Sequence, residues 1–496
     1  MQKVVVSYTY LKSVLKEYPA AGIILFPANG MKGWIKMFQV DFKKPCHVYF
    51  MGIGGISMSG LAEILIKEGF KVSGSDMKES DITLMLRDKG CSISIGQVKE
   101  NITDDIDVVV YTAAIREDNE EYCEVKRRGI PMLSRAQLLG QIMAFYKYSV
   151  AVAGTHGKTT TTSMMTSVLL AGEKDPTVSI GGMLSQIGGN IRVGSSDYFV
   201  TEACEYTNSY HSFNPFISII LNIDNDHLDF FKNLDNIIES FRVFATKTPK
   251  EGTVILNGDM DCLERVRGGL QCKVVTFGKN EKNDYVAKNI TLDDAGRPSF
   301  SVTADGEDLG TFTLNVTGEH NAVNSLAVIA AARELGIDLE TIRKGLSECR
   351  SAGRRFEYKG TTEKGTVVID DYAHHPTEIA ATLKVANDIK KNELWVAFQP
   401  HTYSRTKAHL QQFAEALSAA DHVLLADIYA AREKDDGTVS SKDLEKLLIE
   451  KGCDAVYLGD FVSIEKYLSE KTKKSDLLIT MGAGNIDSIG VSLVKK

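Results

Sequence analysis

One unit recurs along this chain: an apolar strand, a sharp glycine or polar turn, then an amphipathic helix. A helix between two strands carries the chain back over the sheet, so repetition of that unit predicts parallel sheets covered by helices. It appears in three blocks. The first, residues 45–145, opens with HVYFMGIGGISMSGLAEILIKEGFKVSGSD and has a later strand in DVVVYTAAI. The second, 146–347, begins YSVAVAGTHGK and continues through DYFVTEACEY and FISIILNIDNDH. A stretch rich in β-branched and turn residues follows, from about 251 to 316, and then the helix HNAVNSLAVIAAARELG. The third, 348–496, starts near GRRFEYKG and places strands in TVVIDDYAHHP, LWVAFQPHTYSRT, HVLLADIYAARE and LLITMGAGNID. At 496 residues the chain exceeds what one hydrophobic core supports, which agrees with several domains.

Composition narrows the function classes. A formal charge of −8, with Lys and Arg scattered, argues against a nucleic-acid partner. The eight cysteines stand singly and form no C-x-x-C pair, so neither a zinc site nor a disulfide framework is expected; reduced thiols in the cytoplasm fit best. No apolar run is long enough to span a bilayer, so no membrane insertion is expected. The organised pattern begins only at MFQVDFKKPCHVYFMGIGG, and Met37 would make a natural start. Residues 1–36 are expected to be a dispensable extension of unknown role or a misassigned start.

In open parallel sheets ligands bind beyond the carboxyl ends of the strands. Those ends carry most of the notable polar residues here. After the strand at 151–153, Gly154-Thr155-His156-Gly157-Lys158-Thr159-Thr160 turns into a helix. Glycines let backbone N–H groups approach an anion, and the helix start adds partial positive charge. Lys158 can reach terminal phosphates and Thr159 can ligate Mg²⁺. A strict P-loop would have glycine at 152, where this chain has Val152, so the loop is a variant. Glu202 in TEACEY and His227 in NIDNDH sit at neighbouring strand tips and complete a candidate ATP–metal constellation with Lys158.

Other tips leave alternatives open. Gly52-Ile53-Gly54 after a strand, with Asp76 after the next, is like a dinucleotide fingerprint, but Ser57 stands where the third glycine belongs. NAD and a nucleotide-sugar diphosphate are both candidates. Asn321 and Asn324 share a helix face, either as caps or as readers of adenine. Arg354 and Arg355 open the third block, where a guanidinium can clamp a departing γ-phosphate. Asp371, His374, His375, His401 and Arg405 crowd two further tips; Arg405 could hold a small carboxylate or form a surface salt bridge.

Taken in order, MGIGGISMSGLAE, AGTHGKTTTT, TEACEY, NIDNDHLD, GEHNAVN, GRRF, DDYAHHPTE, FQPHTYSRT and MGAGNID closely resemble the Mur ligases, from about residue 45 to the C-terminus. The resemblance implies an α/β protein of three domains: Rossmann-like N-terminal, P-loop-type central ATPase and Rossmann-like C-terminal. DDYAHHPTE and FQPHTYSRT point to the member that joins L-alanine to the lactyl carboxylate of UDP-N-acetylmuramate; a murein peptide ligase, with a peptide in place of alanine, is the alternative. The implied cofactors are ATP and Mg²⁺, and the implied state is a monomer or weak homodimer. By resemblance Gly52, Gly54 and Gly55, with Ser75 and Asp76, meet the UDP-sugar. Gly154–Thr160, Asn321, Asn324, Arg355 and Asp371 meet ATP; Thr159, Glu202 and His227 meet metal; His401 and Arg405 hold the amino acid. Many relatives carry arginine after the QPH histidine, whereas this chain has Thr402, which leaves the amino-acid carboxylate to Arg405 and His401. Lys158 and Arg355 would act on the transferring phosphoryl group, and His374 and His375 are the candidate bases. Two other classes fit less well. The missing third glycine and the G-K-T loop speak against a nicotinamide-dependent oxidoreductase; the polar tips of the third block speak against a nucleotide switch.

Overall fold

The computed structural model describes residues 37–112, 114–431, 433–435 and 437–495. The expectation for residues 1–36 lies outside them. The chain divides after Phe145 into two compact units.

The first unit is a five-stranded parallel sheet. Its elements are β1 (His47–Met51), α1 (Ile56–Lys67), β2 (Lys71–Asp76), β3 (Ser92–Ile95), β4 (Val108–Tyr111) and β5 (Met132–Ser134). The order is β3-β2-β1-β4-β5, so the direction of winding reverses at β1 and the turn after it lies at the switch point. β1 is buried along its whole length, as a central strand covered on both faces must be.

The second unit holds two sheets. The larger has ten strands, beginning with β6 (Tyr148–Ala153), which leads into α2 (Lys158–Ala171). Then come β7 (Thr177–Leu184), β8 (Gly189–Arg192), β9 (Tyr198–Ala203), β10 (Ile217–Ile220), β11 (Thr253–Asn257) and β12 (Lys273–Gly278). The stretch at 251–316 supplies β11 and β12 and then β13 (Tyr285–Leu292), β14 (Pro298–Ala304) and β15 (Glu307–Thr313). β14 and β15 extend one edge antiparallel, and β8 does the same at the other. α3 (Glu319–Glu334) packs over this sheet, with Leu326–Ala332 fully buried. β6 lies between β10 and β9, so the phosphate loop leaves a central strand.

The last sheet contains β16 (Glu357–Thr361), β17 (Val367–Asp371), β18 (Leu394–Phe398), β19 (His422–Ala426), β20 (Asp454–Gly459) and β21 (Leu477–Met481). Its order is β16-β17-β21-β18-β19-β20, parallel except for β16. Apolar clusters cover both of its faces. α4 (Pro376–Asp388) follows β17, and the short α5 (Tyr403–Ala408) follows β18. The expected α/β architecture of parallel sheets is therefore present, with strands shorter than their motifs: FISIILNIDNDH contributes only β10, and the rest is loop.

Candidate active site

The turn after β1 is built by its own backbone. Gly52 has φ +78°, and the N–H groups of Gly52 and Ile53 both donate to the Ser75 carbonyl at 2.9 Å. Gly54 N–H donates to Asp76 Oδ2 at 2.9 Å, and a Cβ at Gly54 would lie 2.9 Å from that oxygen. Gly55 caps α1. Ser75, expected to meet the UDP-sugar, lies near the end of β2 beside this turn. It is fully buried, and its hydroxyl donates to Glu121 Oε2 at 2.7 Å. Glu121 also accepts from Tyr49 and Asn101, and burial holds its carboxyl above the usual range. Ser75 shapes the turn through its carbonyl.

The phosphate loop is wedged between two elements. A Cβ at Gly154 would lie 3.0 Å from Leu221 Cβ, and one at Gly157 would lie 2.8 Å from Asn324 Nδ2; both glycines have positive φ. The loop is also tied to the segment after β10. Thr155 N–H donates to the Asn222 carbonyl, His156 N–H to Asn222 Oδ1, and Asp224 N–H to Thr155 Oγ1. Thr159 and Thr160 lie in the first turn of α2, nearly buried. Lys158 folds back onto the Gly154 and Thr155 carbonyls and pairs with Glu205 at 3.0 Å. Burial works against its charge, but Glu205, Cys204 and Glu202 together outweigh burial and hold the ammonium above the usual lysine range.

Glu205 is a residue that sequence reading missed. Only 2% exposed, it is the carboxylate against Lys158, and His227 Nε2 lies 4.0 Å from its Oε1. Glu202, the expected metal carboxylate, accepts Gly181 N–H at 2.7 Å and acts on Lys158 from farther away. The signal was present in EACE, whose second acid follows the strand end. His227 has φ +52°, and its ring lies 4.6 Å from that of Tyr206. The carboxylates of Glu202 and Glu205 and the hydroxyl of Thr159 are donors of the kind that suits Mg²⁺, and the His227 imidazole stands beside Glu205.

Asn321 and Asn324 on α3 are not caps, because Gly318 holds that position. Asn321 Nδ2 donates to the Thr317 carbonyl at 2.7 Å, and its buried Oδ1 has no partner. An unpaired buried amide oxygen is costly unless something donates to it, which makes it a ready acceptor for a base amine.

The two arginines of GRRF divide. Arg354 is structural: Nε donates to Asp370 at 2.9 Å, and its two terminal nitrogens donate to the Gly484 and Gly482 carbonyls at 2.7 and 2.8 Å. The Arg355 guanidinium lies 5.0 Å from the Tyr372 ring centroid. Asp371, expected at the nucleotide, receives Phe356 N–H and Ala373 N–H at 2.8 Å on its two oxygens, and burial raises its pKa to about 6 against the pull of Arg355.

Residues of the last sheet meet the phosphate loop and the segment after β10. His156 Nε2 donates to Asp224 Oδ2 at 3.1 Å and Nδ1 to Glu378 Oε1 at 3.3 Å. Burial opposes its charge, but the two carboxylates overcome it and raise its pKa to about 9. Thr377 Oγ1 donates to Asp224 Oδ2 at 2.8 Å. His375 Nε2 donates to the Asn225 carbonyl at 3.0 Å, and its Nδ1 accepts Thr377 N–H at 3.4 Å. Both ring nitrogens of His375 are thus engaged. His374 donates through Nδ1 to the Tyr372 carbonyl at 3.0 Å, which keeps its Nε2 as the acceptor, and burial keeps the ring below the usual histidine range. Among the described residues the His, Cys, Asp and Glu side chains close enough to share an ion are not the expected metal residues but His156, Asp224 and His375. Their atoms already join the two sheets.

Arg405 reaches across as well. Its Nη2 and Nε donate to Asp226 Oδ1 at 3.0 and 3.2 Å, and Nη1 donates to His401 Nδ1 at 3.2 Å. Both readings of Arg405 therefore meet at one place: it is salt-bridged, and it sits beside the second expected amino-acid residue.

Three family models match in order: the Mur ligase family catalytic domain at 47–147, the Mur ligase middle domain at 152–332, and the Mur ligase glutamate ligase domain at 354–484. Agathobacter rectalis UDP-N-acetylmuramate–L-alanine ligase is 56% identical, over 93% of this chain and 100% of that protein. The enzyme of the same name from Lachnospira eligens is 54% identical, over 92% and 100%. Among solved structures, UDP-N-acetylmuramate-alanine ligase from Thermotoga maritima superposes with a TM-score of 0.74 at 30% identity, covering 90% of this chain and 98% of that one. A murein peptide ligase from Psychrobacter arcticus reaches 0.64 at 25% identity, covering 91% and 98%.

Proposed function

The chain belongs to the Mur ligase family, and from that premise we infer that it is an ATP-dependent ligase joining L-alanine to the lactyl carboxylate of UDP-N-acetylmuramate in peptidoglycan precursor synthesis. One observation carries the reading to the site. The segment after β10 is shared between the phosphate loop, through Asn222 and Asp224, and the expected amino-acid pocket, through Asp226 and Arg405. A ligase that activates one substrate with ATP and then admits an amine needs those two ends adjacent. High identity to L-alanine ligases along nearly the full length favours alanine over a peptide as the acceptor.

A carboxylate does not accept an amine, because its oxygen leaves poorly. The sugar carboxylate therefore attacks the γ-phosphate of ATP in line, giving an acyl phosphate and ADP. Lys158 neutralises charge on the phosphates once they displace Glu205 from its ammonium, and Arg355 stabilises the transferring group. The Gly154–Thr160 turn supplies N–H groups to the phosphates, and Asn321 and Asn324 hold the base. Thr159, Glu202 and His227, with Glu205 beside them, would hold Mg²⁺, which supplies Lewis-acid neutralisation of phosphate charge. His401 and Arg405 place the alanine carboxylate. Its amine attacks the acyl carbon, and the tetrahedral intermediate collapses to amide and phosphate. His374, with Nε2 as its acceptor, is the candidate to take the amine's proton. Free cysteines and the absence of any membrane-spanning helix among the described residues agree with work in the cytoplasm.

Phosphate release with Mg-ATP and UDP-N-acetylmuramate, with and without L-alanine, tests the reading together with the mass of the product. Release that requires both substrates, with a product heavier by one alanine residue, supports it. Release only with a peptide acceptor moves the assignment to a murein peptide ligase. No release in either case overturns it.

A further inference from the structure

Asp226 and Arg405 form a nearly buried ion pair between the segment after β10 and α5. Their side chains are 9% and 11% exposed. Asp226 Oδ1 receives three donors: Arg405 Nη2, Arg405 Nε and the N–H of His227. The other oxygen faces His227 Nε2 at 3.7 Å. Behind the guanidinium, His401 accepts from Nη1, and its ring packs 5.6 Å from that of Tyr429. The pair is closed, and it occupies the place where the amino acid is expected.

Breaking a buried ion pair leaves two uncompensated charges, so an uncharged ligand, or one with a single charge, is a poor wedge. A free α-amino acid is different. It is a zwitterion whose carboxylate and ammonium carry the charges of Asp226 and Arg405 in reverse. Inserted between them, it gives each protein charge a new opposite partner and leaves neither unpaired.

We propose that L-alanine enters by parting the Asp226–Arg405 pair: its carboxylate takes Arg405, and its ammonium takes the Asp226 carboxylate. Asp226 is then a specificity-determining residue for the acceptor. It requires a free α-ammonium and places that nitrogen beside the segment that adjoins the phosphate loop. It also rejects carboxylic acids without an amine, because these would reach Arg405 only by abandoning a buried aspartate. The proposal rests on the ligase reading above and on the assignment of Arg405 to the amino-acid carboxylate.

Calorimetric titration of the full chain, preloaded with UDP-N-acetylmuramate and a non-hydrolysable ATP analogue, tests it with two probes. L-Alanine carries the ammonium; L-lactate has the same carboxylate and methyl group but a hydroxyl in its place. Wild type should bind L-alanine at least about tenfold more tightly than L-lactate, the discrimination expected of a site built around a charged donor. Asp226→Asn should lose that preference, with alanine affinity falling at least about tenfold while lactate affinity holds or rises, because lactate no longer has to abandon a charged buried aspartate. Equal losses for both probes would make Asp226 merely structural and overturn the proposal, as would an unchanged preference. If Asp226→Asn does not fold, Asp226→Glu and the wild-type comparison decide: equal binding of both probes to wild type overturns it. Arg405→Ala separates the two levels. Alanine affinity unchanged in Arg405→Ala refutes the assignment of the arginine itself. A loss there with no loss in Asp226→Asn refutes only the parting of the pair.

Discussion

Lys158 and Glu205 form an ion pair 3.0 Å apart in which Glu205 is 2% exposed, so the phosphate-loop lysine is already neutralised before any nucleotide arrives. Under the proposed function, phosphate oxygens take that place. Truncating Glu205 leaves a buried ammonium without its partner, which costs about 3–5 kcal/mol. Glu205→Ala should therefore lower the melting temperature sharply in the absence of ligand. A non-hydrolysable ATP analogue should then raise it by more than it raises that of wild type, because the phosphates restore the missing charge. Differential scanning fluorimetry with and without the analogue measures both; equal ligand-induced shifts in the two proteins would refute the exchange. Lys158→Ala should abolish ADP formation while UDP-sugar binding survives.

His156 gives the fold a pH dependence of definite sign. Its pKa is raised to about 9 because Asp224 and Glu378 outweigh its burial. A base whose folded pKa exceeds the unfolded value stabilises fully below about pH 6.5, and that stability is lost as pH rises toward 9. Wild type should thus lose melting temperature between pH 6.5 and 9. His156→Gln, which keeps hydrogen-bonding capacity without the charge, should be flatter across that window. Parallel profiles for the two proteins would show that the imidazolium does not hold the sheets together.

The wedge around Gly157 makes a steric prediction. The residue has φ +84°, and an added Cβ would lie 2.8 Å from Asn324 Nδ2. Gly157→Ala combines left-handed strain with displacement of an amide that faces the expected adenine, and the strain alone exceeds about 1 kcal/mol. The Michaelis constant for ATP should rise at least about tenfold, as follows from losing about 1.4 kcal/mol of nucleotide binding, while that for L-alanine changes little. Steady-state kinetics with each substrate varied in turn checks the split.

Much of this was legible in sequence because strand tips are legible. Apolar runs that end in glycine or acid placed Gly52, Gly154, Glu202 and His401 at or just past the ends of β1, β6, β9 and β18, whereas His227, also expected at a strand tip, lies well past β10 at the head of the short helix Leu228–Phe231. Direction within a strand was legible too, had it been used. Ser73 and Ser75 are two apart on β2 and so share a face, and both hydroxyls turn inward, to His47 and to Glu121. Alternation in PSFSVTA marks β14 as a strand covered on one side. Partner choice between the two sheets of the second unit was not legible. Asp226 and Glu378 stand in motifs that were singled out, yet which basic group each one meets depends on segments 179 and 222 residues apart in sequence coming together. Glu205 was overshadowed by Glu202 for a similar reason: three positions apart at a strand end, the two acids differ only in how the chain turns after Ala203.

The tandem Arg354-Arg355 offers a test of divided roles. Arg354 donates three hydrogen bonds, to Asp370 and to the Gly482 and Gly484 carbonyls, and so ties the loop after β21 to β17. Asp370 is fully buried, and burial already pushes its carboxyl above the usual range. Removing its guanidinium partner should destabilise the protein by about 3–5 kcal/mol. Both guanidinium groups lie 5.0 Å from the Tyr372 ring centroid, but it is the Arg355 charge that acts on Asp371 and Glu378. Arg355→Ala should leave the melting temperature within a few degrees of wild type while kcat falls about 10²–10³-fold, as expected for loss of one donor to transferring charge. Arg354→Ala should do the reverse, with a large thermal loss and a modest change in kcat for the fraction that stays folded. Melting curves and single-turnover ADP formation, measured on both variants, separate the two. Two variants that lose stability and turnover in the same proportion would mean that the pair acts as a single structural clamp.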